Sequence, residues 1–154
     1  MGINVETKVI LDLNNKYTDK KSFFAELCEV IHNEMDEKVL AITIKEALEE
    51  REKVVTTGFG NELAIPHGKV EGLISPYLFF VRVKNPIEWQ AMDDEKVKFI
   101  FVILVPSDDK DNNHLKVLSI LSYNLMDSEY QKMIKTVKDE EEAKNIIEKM
   151  VAVE

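Results

Sequence analysis

A chain of 154 residues, 45% of them hydrophobic, has enough apolar material to bury the core of one ordinary domain, and a single domain over 1–154 is expected. A formal net charge of −9 excludes sequence-independent binding to nucleic acid or anionic lipid, which needs clustered Lys and Arg, and favours a basic macromolecular partner. One cysteine, Cys28, excludes an internal disulfide and a thiolate-rich metal site, and no apolar run approaches the roughly 18 residues of a membrane span, so a soluble cytoplasmic protein is expected.

Val9 to Leu13 is a short apolar run that reads as a strand, and Thr18 or Asp19 can cap the helix that follows. From Ser22 to Met35, Phe24, Leu27, Cys28, Ile31 and Met35 recur at helical spacing, which makes Cys28 a small buried hydrophobe and leaves His32 structural or exposed. A second helix is predicted from about Asp36 to Lys53, with Leu40, Ile44, Ala47 and Leu48 on one face. Continuing that face reaches Arg51, whose guanidinium either enters a cleft or snorkels past the helix end to water. Favourable charge at a helix C-terminus is the alternative, and the preferred one were the histidines not there.

Thr56 to Asn61 (T-T-G-F-G-N) reads as a loop that places backbone N–H groups and hydroxyls next to His67, an arrangement suited to an anion. Its spacing fits neither a P-loop nor a dinucleotide fingerprint. The run Leu63-Ala64-Ile65 must stop at Pro66, which has no N–H for a sheet, and Gly68 is predicted to permit a turn. His67 is thereby presented between them at the rim of an apolar segment.

Tyr77 to Val83 and Val97 to Val105 read as buried strands, the second central and the pair expected to be antiparallel. Asn85-Pro86 and Met92 to Glu95 read as turns around Trp89, a packing residue. After Pro106, a polar loop from Ser107 to Asn113 leads into a helix with His114, Val117, Leu118, Leu121 and Leu125 on one face. His114 then sits in the first turn, just beyond the best strand, where ligands of open α/β sheets gather; a histidine tying the loop down is the alternative. Ser128 to Val137 and Asp139 to Val151 close the chain as two helices, with Ile146, Ile147 and Met150 giving apolar contacts.

His67, His114, Arg51 and the Thr57 to Asn61 loop form the candidate constellation. No nucleophile-elbow serine or paired carboxylates accompany the histidines, which disfavours hydrolase and glycosidase chemistry. Metal binding by both histidines with Glu62 has only generic spacing, and a nearby arginine would repel the ion. A phosphoryl group is the better guest, held by arginine, a helix N-terminus and a second imidazole, with a neutral histidine as its acceptor.

The segment T-T-G-F-G-N-E-L-A-I-P-H-G-K at Thr56 to Lys69, preceded by E-R-E at Glu50 to Glu52 and followed by H-L-K-V-L-S-I-L-S at His114 to Ser122, resembles the IIA domain of the fructose/mannitol class (type 2) of the bacterial phosphoenolpyruvate-dependent sugar phosphotransferase system. The resemblance covers essentially the whole chain. It implies an α/β domain with a mixed, mostly buried sheet flanked by helices on both faces, and a phosphorelay role needing no metal or other cofactor. It also implies that Nε2 of His67 accepts phosphate from the carrier protein HPr and passes it to a cysteine of a separate IIB component, working with a membrane IIC component. By the same match His114 donates a hydrogen bond to the phosphoryl group and Arg51 offsets its charge, while Thr57, Gly58, Gly60 and Asn61 are the candidate phosphoryl-binding loop from the reading of that segment above. Asn61 leans the class toward fructose-like rather than mannitol-like. A regulatory, nitrogen-related IIA paralogue is the alternative.

Overall fold

The long apolar runs become the two longest strands of a mixed sheet. In a computed structural model describing residues 5–110 and 112–152, β1 (Glu6–Leu13), β2 (Gly58–Gly60), β3 (Leu63–Ala64), β4 (His67–Val70), β5 (Tyr77–Ile87) and β6 (Val97–Pro106) form one sheet. Its order is β1-β5-β6-β3-β2, with β4 also on β6. β5 and β6 are antiparallel, whereas β1 is parallel to β5, and β3 and β4 are parallel to β6. The mixed sheet and the central place of β6 agree with the sequence reading.

Strand alternation divides the core in two. Tyr77, Phe79, Val81, Ile100, Val102 and Leu104 face α1 (Lys20–Glu34) and α2 (Ala41–Glu52). Leu78, Phe80, Phe101, Ile103 and Val105 face α3 (Asn113–Leu125), α4 (Ser128–Lys135) and α5 (Glu140–Val151). Because side chains on successive residues of a strand point to opposite faces, both faces of these strands must be apolar and covered, which is why their sequences run without interruption. Cys28 is buried in the α1 stripe, and Trp89 packs on Phe24 with ring centroids 5.3 Å apart.

Four local expectations are corrected. The second helix starts at Ala41, with Leu40 at its cap position and 68% exposed, so Leu40 is not part of the buried face. The stretch from Thr56 to Asn61 is not all loop, since Gly58–Gly60 pairs with β3. Asn85-Pro86 is not a turn: β5 continues to Ile87, and the proline falls where pairing with β6 is interrupted, between Arg82 and Ile87, so its missing N–H breaks no regular ladder. Gly68 is not a turn residue either. It lies within β4, where a Cβ would stand 2.9 Å from the carbonyl oxygen of Ala47, so glycine is required by the close approach of α2.

Pro66 does what its chemistry dictates, with one refinement. Regular pairing of β3 stops at Ala64, yet Leu63 opposite Phe99 and His67 opposite Ile103 keep the same offset along β6. The Pro66 carbonyl still accepts from Ile103 N–H at 3.0 Å, and Ile65 N–H donates to Thr57. The proline therefore breaks the ladder without shifting the register, and β4 opens with His67 at a fixed height beside the central strand.

Candidate phosphoryl-acceptor site

His67 begins β4 and is 8% exposed. Its Nδ1 lies 2.9 Å from the carbonyl oxygen of Ile65. On its other side, Arg51 Nε donates to Nε2 at 3.1 Å. A guanidinium has no lone pair to offer, so Nε2 must be the acceptor and the proton of the neutral ring must sit on Nδ1, where Ile65 takes it. These two contacts fix both the tautomer and the plane of the ring. Burial is the main influence holding the His67 pKa below its ordinary value of 6.5 and outweighs the opposing bond to Ile65, while the smaller effect of the Arg51 charge pushes the same way as burial. The ring is neutral near pH 7, with its one lone pair on Nε2.

Arg51 follows the buried Ile44 and Leu48 along one face of α2, in the last turn of the helix that packs on β4. Its Nη1 donates to Val55 O at 2.8 Å, which ties the side chain to the turn after the helix. That turn is held by Glu52, 9% exposed at its side chain, which accepts from Thr57 N at 2.9 Å, from Thr57 Oγ1 at 2.5 Å and from Lys20 Nζ at 3.0 Å. Glu52 was not singled out from the sequence; its place beside Arg51 in E-R-E was the available signal.

His114 stands in the first turn of α3, beyond the end of β6 at Pro106. It lines the same cleft as His67, of about 630 Å³, together with Ala47, Glu50, Arg51, Gly68, Lys69, Leu115 and Leu118. Asp109 holds it: Oδ2 accepts from His114 N at 3.0 Å and lies 2.7 Å from His114 Nδ1.

The structure thus brings together His67, Arg51 and His114. The predicted loop is placed differently. Thr57 is buried with its hydroxyl on Glu52, Gly58 packs on Ala91 and Trp89, and Asn61 N–H donates to Asp93 at 2.9 Å, next to Gly60. Among the described residues, none of these four lines the cleft. Glu62, the third member of the metal alternative, lies 3.8 Å from Lys135, and no cluster of three or more His, Cys, Asp or Glu among the described residues could hold a metal. No described helix is long and apolar enough to cross a membrane.

A buried neutral imidazole, an arginine and a second imidazole around one cleft suit phosphoryl transfer, and the model of the family described as phosphoenolpyruvate-dependent sugar phosphotransferase system, EIIA 2, matches residues 5–150. The chain belongs to that family. That family is the EIIA phosphocarrier family of the phosphotransferase system. The chain is 33% identical over 124 residues to a fructose-specific EIIABC component of Mycoplasma pneumoniae, an alignment covering 79% of this chain and 17% of that protein. It is 37% identical over 103 residues to the nitrogen regulatory protein of Escherichia coli, covering 66% of this chain and 63% of that one. Among solved structures, nitrogen regulatory protein IIA-Ntr from Neisseria meningitidis superposes with a TM-score of 0.77 at 30% identity, over 91% of this chain and 92% of that one. The Escherichia coli complex of mannitol IIA with phosphorylated mannitol IIB gives 0.67 at 16% identity, over 89% and 92%, and bears on the fold alone.

Proposed function

We propose that this EIIA domain is a sugar-uptake phosphocarrier in which His67 Nε2 takes a phosphoryl group from the phosphohistidine of HPr and yields it to a cysteine of a separate IIB protein, in the cytoplasm beside a membrane IIC component. The observation that carries this reading is the fixed tautomer of His67, which leaves a lone pair on Nε2 within a cleft shared with Arg51 and His114. In the first step Nε2 attacks phosphorus in line. The P–N bond of the donor breaks, and its electron pair returns to the donor imidazole. In the second, a thiolate sulfur attacks, the P–Nε2 bond breaks, and its pair goes back to His67.

Little is asked of the protein beyond position and charge, because the transition state is loose. Arg51 is already on Nε2 and needs only to exchange that lone pair for a phosphoryl oxygen as the group arrives. His114 approaches the phosphoryl from the α3 side. The burial that keeps His67 neutral keeps it nucleophilic at neutral pH. A net charge of −9 complements a basic donor surface, giving fast, transient and salt-sensitive encounter. A fructose-like sugar is favoured over a mannitol-like one by Asn61 and by the fructose-specific relative.

The regulatory reading is supported by the nitrogen regulatory relatives at 37% identity and the IIA-Ntr superposition. In that case the same phosphohistidine would report to a partner protein instead of feeding transport. Incubation with phosphoenolpyruvate, enzyme I and HPr, followed by intact-mass measurement, is expected to add one acid-labile phosphoryl group to the wild type and none to His67→Ala. Label persisting on His67→Ala overturns the assignment. Onward transfer to a purified fructose-type IIB separates the transport reading, which requires it, from the regulatory one.

A further inference from the structure

Asp109 belongs to the loop between β6 and α3, and its carboxylate has an unusual double task. Its side chain is 1% exposed. The backbone at Asn112, the cap position of α3, is left-handed (φ 52, ψ 41), and its side chain makes no capping bond. Asp109 supplies that bond from three residues further back, accepting from His114 N–H, one of the orphan donors of the first turn. The same oxygen, Oδ2, lies 2.7 Å from His114 Nδ1. A carboxylate that already accepts one N–H on this oxygen offers only lone pairs, so the ring nitrogen facing it must carry the proton.

This has a chemical corollary for the cleft. With Nδ1–H committed to Asp109, the neutral ring has a bare lone pair on Nε2, which would repel a phosphoryl oxygen. Nε2 becomes a donor only when a second proton makes the ring an imidazolium. We propose that Asp109 is a positioning residue for phosphoryl transfer: it orients His114, fixes its Nδ1–H tautomer, and so makes the ring serve the phosphoryl group on His67 as a cation rather than as a neutral donor. This rests on the phosphocarrier reading given above.

The charges around the His114 ring suit a guest-dependent proton. Arg51 and Glu50 from α2 and His67 and Lys69 from β4 line the same cleft, and Asp109 stands behind the ring. An incoming phosphoryl group adds about two negative charges on the cleft side, which favours the imidazolium. Phosphorylation of His67 would therefore draw one proton onto His114 Nε2. That proton remains until the group leaves for its acceptor, and it opposes loss of the group to water by holding its oxygens in place.

The test is histidine side-chain 15N NMR combined with transfer kinetics. In the unphosphorylated wild type the neutral His114 ring is expected as the Nδ1–H tautomer. After loading by phosphoenolpyruvate, enzyme I and HPr, Nε2 of His114 is expected to be protonated near pH 7. Asp109→Asn is expected to lose the fixed tautomer and to slow transfer from HPr by roughly 10- to 100-fold, the worth of one charge-assisted hydrogen bond, with partial recovery in Asp109→Glu.

A pure capping role would lower the melting temperature of Asp109→Asn while leaving tautomer and rate at wild-type values, and that result overturns the proposal. An Nε2–H tautomer in the resting wild type, or a His114 ring that stays neutral after His67 is phosphorylated, overturns it without any variant. Failure of the wild type to be labelled on His67 defeats the phosphocarrier reading itself, and the resting tautomer of His114 then still tests the orienting role of Asp109 independently.

Discussion

Arg51 Nε sits 3.1 Å from Nε2 of His67, on the one lone pair of a ring whose other nitrogen is held by Ile65. The resting site is closed on itself, with the charge that would receive a phosphoryl group already touching the atom that would attack it.

Arg51→Ala removes both a charge beside His67 and its hydrogen-bond donor. The His67 pKa is expected to rise, while staying below its ordinary value because burial, the larger influence, remains. Transfer from HPr is expected to slow roughly 10- to 100-fold, as for loss of one charge-assisted bond. NMR titration of His67 with single-turnover labelling measures both; an unmoved titration would show that the guanidinium charge is not felt by the ring.

Acid should weaken the protein and its reactivity together. The folded-state pKa of His67 lies below the unfolded value, so near and below 6.5 the unfolded chain binds more protons than the native one. The stability contributed by neutral His67 is therefore complete above that value and is lost as pH falls through the depressed native pKa. Protonation also removes the attacking lone pair. Melting curves and transfer rates across this window are expected to decline together in the wild type, and the acid-side loss of stability should shrink in His67→Ala.

Gly68→Ala tests the contact of β4 with α2. The added Cβ would lie 2.9 Å from Ala47 O and 3.0 Å from Ala47 Cβ, against backbone that cannot swing aside. Overpacking of this kind costs about 1–3 kcal/mol, and it levers the helix carrying Arg51 away from His67. A lower melting temperature together with slower transfer is expected; a fully stable, fully active variant would mean that α2 yields freely.

Glu52→Gln leaves one acceptor where two carboxylate oxygens serve Thr57 N, Thr57 Oγ1 and Lys20. With the side chain 9% exposed, a mismatched amide costs about 1–3 kcal/mol. Loosening the turn should also free Val55 O from Arg51, so transfer slows although Glu52 touches neither histidine ring. Denaturant unfolding and labelling kinetics on the same sample check the pairing of the two effects.

Association governed by charge complementarity should weaken as salt screens it. The second-order rate of transfer from HPr is expected to fall as ionic strength rises, and stopped-flow rates that ignore salt would remove electrostatic steering from the account.

Most elements were legible because their signals are local. The apolar stripe of α1, the unbroken runs of β5 and β6, and the stripe of α3 each report a periodicity within a few turns or pleats. His67 was legible through Pro66, whose missing N–H acts on its immediate neighbours. The same locality explains the errors. Leu40 continues a helical spacing but precedes the helix, and Asn85-Pro86 has turn chemistry yet rides along an interruption in pairing.

By itself, then, the sequence determined the α/β class and the central strand, and it named the candidate histidine and its two principal neighbours. Only the tertiary structure decided how they act, because each deciding contact joins segments far apart in the chain or reads a direction that spacing does not carry. Gly68 could have served a turn or a close approach, and the proximity of Ala47 selects the second. The phosphate loop expected from Thr57 to Asn61 turned its hydroxyl and its N–H toward Glu52 and Asp93. The lone pair of His67 is assigned by Ile65 and Arg51, and that of His114 by Asp109. Residue types name the candidates for proton and phosphoryl transfer; the folded geometry chooses the nitrogen.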